Sequence, residues 1–241
     1  MYKILSTTYP DRFNLLKYSI AGSIAGQLNK SFEACELSQL HSYLEIKELN
    51  DLRMKTFQHI NDLEWQELLK LNCFDQVRKL LGPDLLIQKK INLSIQMPGD
   101  KQSILPEHSD CSSGDSPFEI VLWIPITDCF DTNSIFIYGS DESRVFYSNV
   151  MNGTNDSLDP NLCKSLSLSY GEYLLFPPTL IHGNTLNTTD FTRISLNVRI
   201  KSIFSPYIAS QTPDRKFGAY YNVWNKTEMF DWNHEIYRLL K

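Results

Sequence analysis

Two textures divide the chain. Up to about residue 83 the apolar positions recur at helical spacing. They do so most clearly in "LNDLRMKTFQHINDLEWQELLKLNCFDQVRKLLGPD", where Leu52, Phe57, Ile60 and Leu63 mark the pattern. Gly82-Pro83 supplies a helix stop, because glycine suits a left-handed end and proline cannot continue the helix. Beyond it the period shortens to two. In "INLSIQ" the residues Ile91, Leu93 and Ile95 take one face, and Asn92, Ser94 and Gln96 take the other.

Strand-like runs then follow at 118–126, 134–138, 144–148, 166–169, 172–176, 179–183 and 191–200, separated by turns rich in Gly, Asn, Asp and Pro. In the last run Arg193, Ser195, Asn197 and Arg199 share one face, while Ile194, Leu196, Val198 and Ile200 share the other. This spacing predicts a mainly β protein with flanking helices, an antiparallel barrel or double-sheet jelly roll behind a helical N-terminal third. We expect one domain over 1–241: helical support over 1–83, a β core over 84–200, and an aromatic-rich cover over 201–241 that carries Tyr220, Tyr221, Trp224, Phe230 and Trp232.

Charge narrows the partners. The net charge of −5 argues against nucleic acid or an anionic membrane surface as the main partner, since both need a basic footprint. No run approaches the ~18–20 apolar residues of a membrane span, and the N-terminus lacks a signal-peptide pattern. The five cysteines, at 35, 73, 111, 129 and 163, are odd in number and form no C-x-x-C, so neither a disulfide framework nor a zinc knuckle is implied. A cytoplasmic protein is expected. The glycosylation sequons at Asn152 and Asn155 are chance matches in an Asn- and Ser-rich chain.

The chemistry starts at His108-Ser109-Asp110. On an extended backbone residues i and i+2 point the same way, so an imidazole and a carboxylate converge. With 5 histidines and 28 acidic residues in 241, about 0.6 such matches arise by chance, so the pair matters only through its context. That context is His182, on a later strand, and Arg193 with Ser195 on the strand after it. Two histidines and one carboxylate on one face of a metal leave positions open, the pattern of non-haem iron(II) oxygenases. A buried arginine aimed into a barrel needs an anion, and a carboxylate meets it in fork geometry; Ser195 faces the same way. Arg199 shares that face and competes for the anion. Gln96 ends a strand on its polar face and is a candidate contact to cosubstrate. Cys111 points away by alternation, and His41, His59 and His234 read as surface or packing residues.

With these residues in place, the chain resembles the Fe(II)/2-oxoglutarate-dependent dioxygenase superfamily in its His-x-Asp…His…Arg-x-Ser signature: His108, Asp110, His182, Arg193 and Ser195. The approach "GEYLLFPPTLIHGN" resembles the phytanoyl-CoA hydroxylase-like branch. "MPGD…LPEHSDCSSGDSPFEIVLWIPITDCFDTNSIFI" is most similar to oxygenases of carbohydrate and streptomycin-biosynthesis gene clusters. The resemblance covers roughly residues 85–200. It implies a double-stranded β-helix fold and iron(II) held by His108, Asp110 and His182. It also implies 2-oxoglutarate as cosubstrate, anchored by Arg193 and Ser195, and dioxygen as oxidant. A carboxylate at Asp110, where related halogenases lack one, implies hydroxylation. The implied substrate is a small molecule, a sugar or sugar derivative, flanked by the tail aromatics. Two other readings stand beside it: a metal-dependent cupin-type sugar isomerase or epimerase, and a non-catalytic carbohydrate-binding barrel.

Overall fold

The computed structural model describes residues 2–154, 158–206 and 218–239; the sequon at Asn155 lies outside them. A short strand β1 (Lys3–Ser6) precedes the helices α1 (Pro10–Leu28), α2 (Leu49–Asn61) and α3 (Trp65–Leu81). The helical third forms as its periodicity predicts, with one break. Leu63 lies in the turn between α2 and α3, so the apolar pattern runs through two helices and not one. Helix α3 stops at Gly82, whose φ of 84° only glycine adopts without strain.

The strands are β2 (Leu85–Gln88), β3 (Asn92–Gln96), β4 (Glu119–Pro125), β5 (Ile135–Ile137), β6 (Lys164–Ser165), β7 (Glu172–Phe176), β8 (His182–Asn184), β9 (Arg193–Ser202) and β10 (Tyr221–Asn225). Helices α4 (Ser140–Met151) and α5 (Glu228–Leu239) complete the order. A main sheet runs β1-β7-β4-β9-β2-β10, with β3 also paired to β9, and a minor sheet runs β6-β5-β8. Every pairing between these strands is antiparallel. This is the expected mainly β architecture with flanking helices, as two open sheets and not a closed barrel.

Strand β9 organises it. Its apolar face, Ile194, Leu196, Val198 and Ile200, is fully buried in one cluster with Phe13, Leu16 and Ile20 of α1, Ile60 of α2 and Leu69 and Val77 of α3. Burial of that face fixes the register, because a slip of one residue would turn Arg193 and Arg199 into the apolar core. Strand β4 is buried along its whole length. Ile120, Leu122 and Ile124 join the helical core, while Val121 and Trp123 face a second cluster with Ile135, Leu174 and Phe176.

Several expectations are corrected. Residues 144–148 form no strand; they are the middle of α4, with Asp141 and Glu142 in its acidic first turn. The strand expected over 166–169 is confined to Lys164–Ser165 with an isolated bridge at Leu168, and that over 179–183 is shifted to His182–Asn184. The tail does not merely cover the fold: β10 pairs with β2 as a strand of the main sheet. Trp224 is buried there, edge-on to Phe74 of α3 at 5.5 Å, and its indole N–H donates to the Gln66 carbonyl at 3.1 Å. Among the described residues no helix is long and apolar enough to cross a membrane.

Loss of a buried tryptophan costs about 3–5 kcal/mol. Trp224→Ala is therefore expected to lower the urea-unfolding free energy by about 3 kcal/mol or more. A loss below about 1 kcal/mol would show that the tail strand contributes nothing to the core.

Candidate metal centre

The segment carrying His108 reaches its place through an isolated antiparallel bridge to β8. The His108 N–H donates to the His182 carbonyl at 3.0 Å, and the His182 N–H donates to the His108 carbonyl at 3.0 Å. Residues directly opposite on such a bridge present their side chains to the same face. The two imidazole centroids accordingly lie 4.4 Å apart. Ser109 is extended (φ −115°, ψ 143°), so Asp110 comes round to the same face, at the start of a 3-10 turn. One ligand atom from each of His108, Asp110 and His182 lies within 4.8 Å of the other two. Asp110 Oδ1 is 3.8 Å from His108 Nε2 and 3.9 Å from His182 Nε2.

The donor set suits a divalent metal. His108 Nδ1 lies 2.8 Å from the Pro106 carbonyl and His182 Nδ1 lies 2.9 Å from that of Leu180. A carbonyl only accepts, so both Nδ1 atoms carry the proton and both Nε2 lone pairs face Asp110, the orientation a ligating imidazole needs. Burial lowers the His182 pKa, against the pull of the Asp110 carboxylate, and favours the neutral ring that ligates.

Local sequence explains how the arms meet. A Cβ on Gly183 would lie 2.7 Å from the Leu105 carbonyl oxygen and 2.7 Å from the Phe136 ring, so only glycine lets the 105–108 segment lie against β8. Asn184 accepts from the Leu105 N–H, and its amide donates to the Ser103 carbonyl at 3.0 Å. Helix α4 braces both arms. The Tyr147 hydroxyl donates to Ser109 Oγ at 2.5 Å, and Ser143 Oγ accepts from the Ile181 N–H at 3.0 Å. Tyr138, just before α4, donates to Glu107 at 2.6 Å. Sequence reasoning missed Tyr147 because it read 144–148 as a strand, and it gave Tyr138 and Ser143 no role. The Gly183-Asn184 pair after His182 was visible, but the close approach that explains it was not.

Strand β9 delivers the two arginines to a cavity of about 300 Å³ that also holds the triad. Arg199 pairs through Nη2 with Asp110 Oδ2 at 2.8 Å and through Nε with Asp115 at 3.2 Å. Both of its carboxylate partners are buried, so Arg199 is engaged in holding Asp110 with Oδ1 turned to the histidines. Arg193 is different. Burial disfavours its charge, yet its strongest contact is a 3.4 Å bond from Nη2 to Ser94 Oγ. Its Nε and Nη1 have no partner among the described residues, nor does the buried hydroxyl of Ser195. Buried polar groups are rarely left so.

Gln96 stands opposite Arg193 in register, but its amide donates to the Thr185 carbonyl at 2.6 Å and it is not among the cavity's lining residues. Cys111 lies outside the lining, and burial pushes its thiol up to about 11. His41 packs at 3.0 Å from Thr192 Oγ1, at the root of β9. No described tail aromatic lines the cavity; Val121, Trp123, Ile135 and Phe176 supply its apolar wall.

Neither a family model nor a curated protein matches the sequence. Solved structures do. The non-heme monooxygenase ThoJ in its apo form superposes with a TM-score of 0.55 at 14% identity, over 94% of this chain and 81% of its own. The two proteins share a fold. The ThoJ–Ni complex gives 0.53 at 15% identity, over 93% of this chain and 80% of its own. EctD from S. alaskensis with bound Fe gives 0.51 at 12%, over 86% of this chain and 74% of its own. The two open sheets are therefore the double-stranded β-helix that the sequence resemblance implies.

Loss of a group that orients a metal ligand typically costs about 10–100-fold in metal affinity. Gly183→Ala and Arg199→Gln are each expected to weaken Fe(II) binding by about tenfold or more. Gly22→Ala, where a Cβ meets nothing within 4 Å, should leave it unchanged. Equal affinities in all three proteins, by anaerobic metal titration, would show that the bridge and the Asp110 pair do not set the site.

Proposed function

We propose that the chain is a single-domain Fe(II)- and 2-oxoglutarate-dependent oxygenase that hydroxylates a small molecule, in a cytoplasmic setting suited to its free thiols. The observation that carries this reading is the buried guanidinium of Arg193, which lines the cavity of the His-Asp-His triad with Nε and Nη1 lacking any partner among the described residues. A metal-dependent isomerase needs the triad but has no use for a second, carboxylate-binding anchor. A binding barrel needs neither.

His108, Asp110 and His182 would hold Fe(II), and Arg193 with Ser195 would take the distal carboxylate of 2-oxoglutarate. When bound, iron with 2-oxoglutarate and O2 supplies an oxidant able to attack an unactivated C–H bond, releasing succinate and carbon dioxide. The chain's own part is positional. Arg199 holds the Asp110 carboxylate in orientation; the carbonyls of Pro106 and Leu180 hold both imidazoles in the ligating tautomer. Val121, Trp123, Ile135 and Phe176 give the reacting centre an apolar wall that limits water. The sugar-derived substrate rests on the sequence resemblance to carbohydrate-cluster oxygenases.

Anaerobic protein with Fe(II) should develop a weak visible charge-transfer band on addition of 2-oxoglutarate, and aerobic turnover should release succinate. Breaking a buried charge pair costs roughly 2–5 kcal/mol, or about 30-fold upward in affinity. Arg193→Gln is thus expected to weaken 2-oxoglutarate binding at least about 30-fold while iron binding persists. Iron binding without the band in the wild-type protein would contradict the reading.

A further inference from the structure

The cavity holds a third arginine that the proposed chemistry does not use. Helix α2 buries Leu49, Leu52, Thr56 and Ile60, positions i, i+3, i+7 and i+11 of one stripe. At 100° per residue, Arg53 falls at the edge of that stripe, half-buried, and not on the solvent side with the exposed Met54 and Lys55. The helix is also fixed in place: Asn61 at its end exchanges two hydrogen bonds with the backbone of Ile91, at 2.8 and 3.0 Å, just before β3. Arg53 thereby lines the cavity beside Leu93 and Ser94 of β3.

Charge bookkeeping then singles it out. Three guanidinium groups line the cavity, those of Arg53, Arg193 and Arg199, against one lining carboxylate, Asp110. Arg199 is paired with Asp110 and Asp115. The two positive charges of Fe(II) are offset by the two negative charges of 2-oxoglutarate, whose distal carboxylate meets Arg193. Arg53 is left with a neutral partner, the Asn50 side-chain oxygen at 2.7 Å, and with no carboxylate among the described residues. One uncompensated positive charge faces a partly enclosed site in a chain whose net charge is −5.

We propose that Arg53 is the substrate-recognition residue of this site and that the substrate is an anion, bearing a carboxylate or a phosphate ester that the guanidinium meets. Both groups present the paired oxygens that suit its fork. The proposal rests on the oxygenase reading, which assigns Arg193 to the cosubstrate. It narrows the small-molecule class to acidic or phosphorylated compounds and turns away polyamines such as aminoglycosides.

The test uses anaerobic protein loaded with Fe(II) and saturated with 2-oxoglutarate, so that Arg193 is occupied. Calorimetry follows two matched pairs of probes: propionate against propionamide, and methyl phosphate against trimethyl phosphate. At least one anion should bind about tenfold or more tightly than its neutral partner, and less tightly as salt rises. The stronger arm tells carboxylate from phosphate. Arg53→Gln should abolish the difference, Arg53→Lys should keep part of it, and both variants should bind 2-oxoglutarate as the wild type does. Normal 2-oxoglutarate binding with no preference for either anion, or with a preference that survives Arg53→Gln, overturns the Arg53 proposal alone. Failure of the wild-type protein to bind 2-oxoglutarate overturns the oxygenase reading and this proposal together.

Discussion

The site depends on two backbone hydrogen bonds. The reciprocal pair between His108 and His182 bridges the 105–110 segment to the minor sheet, and the Asn184 N–H extends the contact by donating to the Leu105 carbonyl at 2.9 Å. It sets both imidazoles on one face before any metal arrives. The rest of the local structure serves it: glycine at 183 because a Cβ would force the strands apart, Asn184 as a clasp on the incoming loop, and α4 as a brace behind both arms. Metal binding to such an arrangement orders little that is not already ordered, which is the advantage of a preformed site.

Electrostatics divides the labour along β9. Arg193 and Arg199 are six residues apart on one face of a strand whose other face is locked in the core, so neither can exchange roles with the other. Arg199 is satisfied by two buried carboxylates and acts on the protein's own ligand, Asp110. Arg193 is left with Nε and Nη1 unsatisfied among the described residues, which is the ground for assigning it a ligand's carboxylate in the proposed function. Leaving a guanidinium buried and unpaired costs several kcal/mol. A fold carries such a cost where a bound ligand removes it.

Much of this was legible in the sequence where one physical rule dominated. The alternation of β9 named both faces correctly because one face is wholly apolar, and Gly82-Pro83 marked the end of α3. The triad was legible because the extended Ser109 obeys the two-residue period. Reading failed where local and tertiary signals disagreed. Val145-Phe146-Tyr147 has strand-like composition, yet the acidic start at Asp141 and Glu142 and the packing of Phe146 and Tyr147 on the Tyr138–Ile181 cluster make it a helix. The strands β1, β2 and β10 do not alternate in burial: β1 is mostly exposed, β2 is buried throughout, and β10 has two successive exposed residues. The roles of Arg199 and Gly183 depend on groups 89 and about 78 residues distant in the chain, roughly the whole width of the β core, and no local pattern encodes such contacts.

The central claim is that Arg193 waits for the distal carboxylate of a 2-oxo acid. The most direct measurement is the guanidinium Nε–H resonance of Arg193 in nitrogen-labelled protein carrying a diamagnetic divalent ion. It would be followed during titration with 2-oxoglutarate and, separately, with 2-oxobutyrate, which keeps the metal-chelating end and lacks the distal carboxylate. The account predicts a large downfield shift and slowed exchange with 2-oxoglutarate only. The same small response to both acids would contradict it.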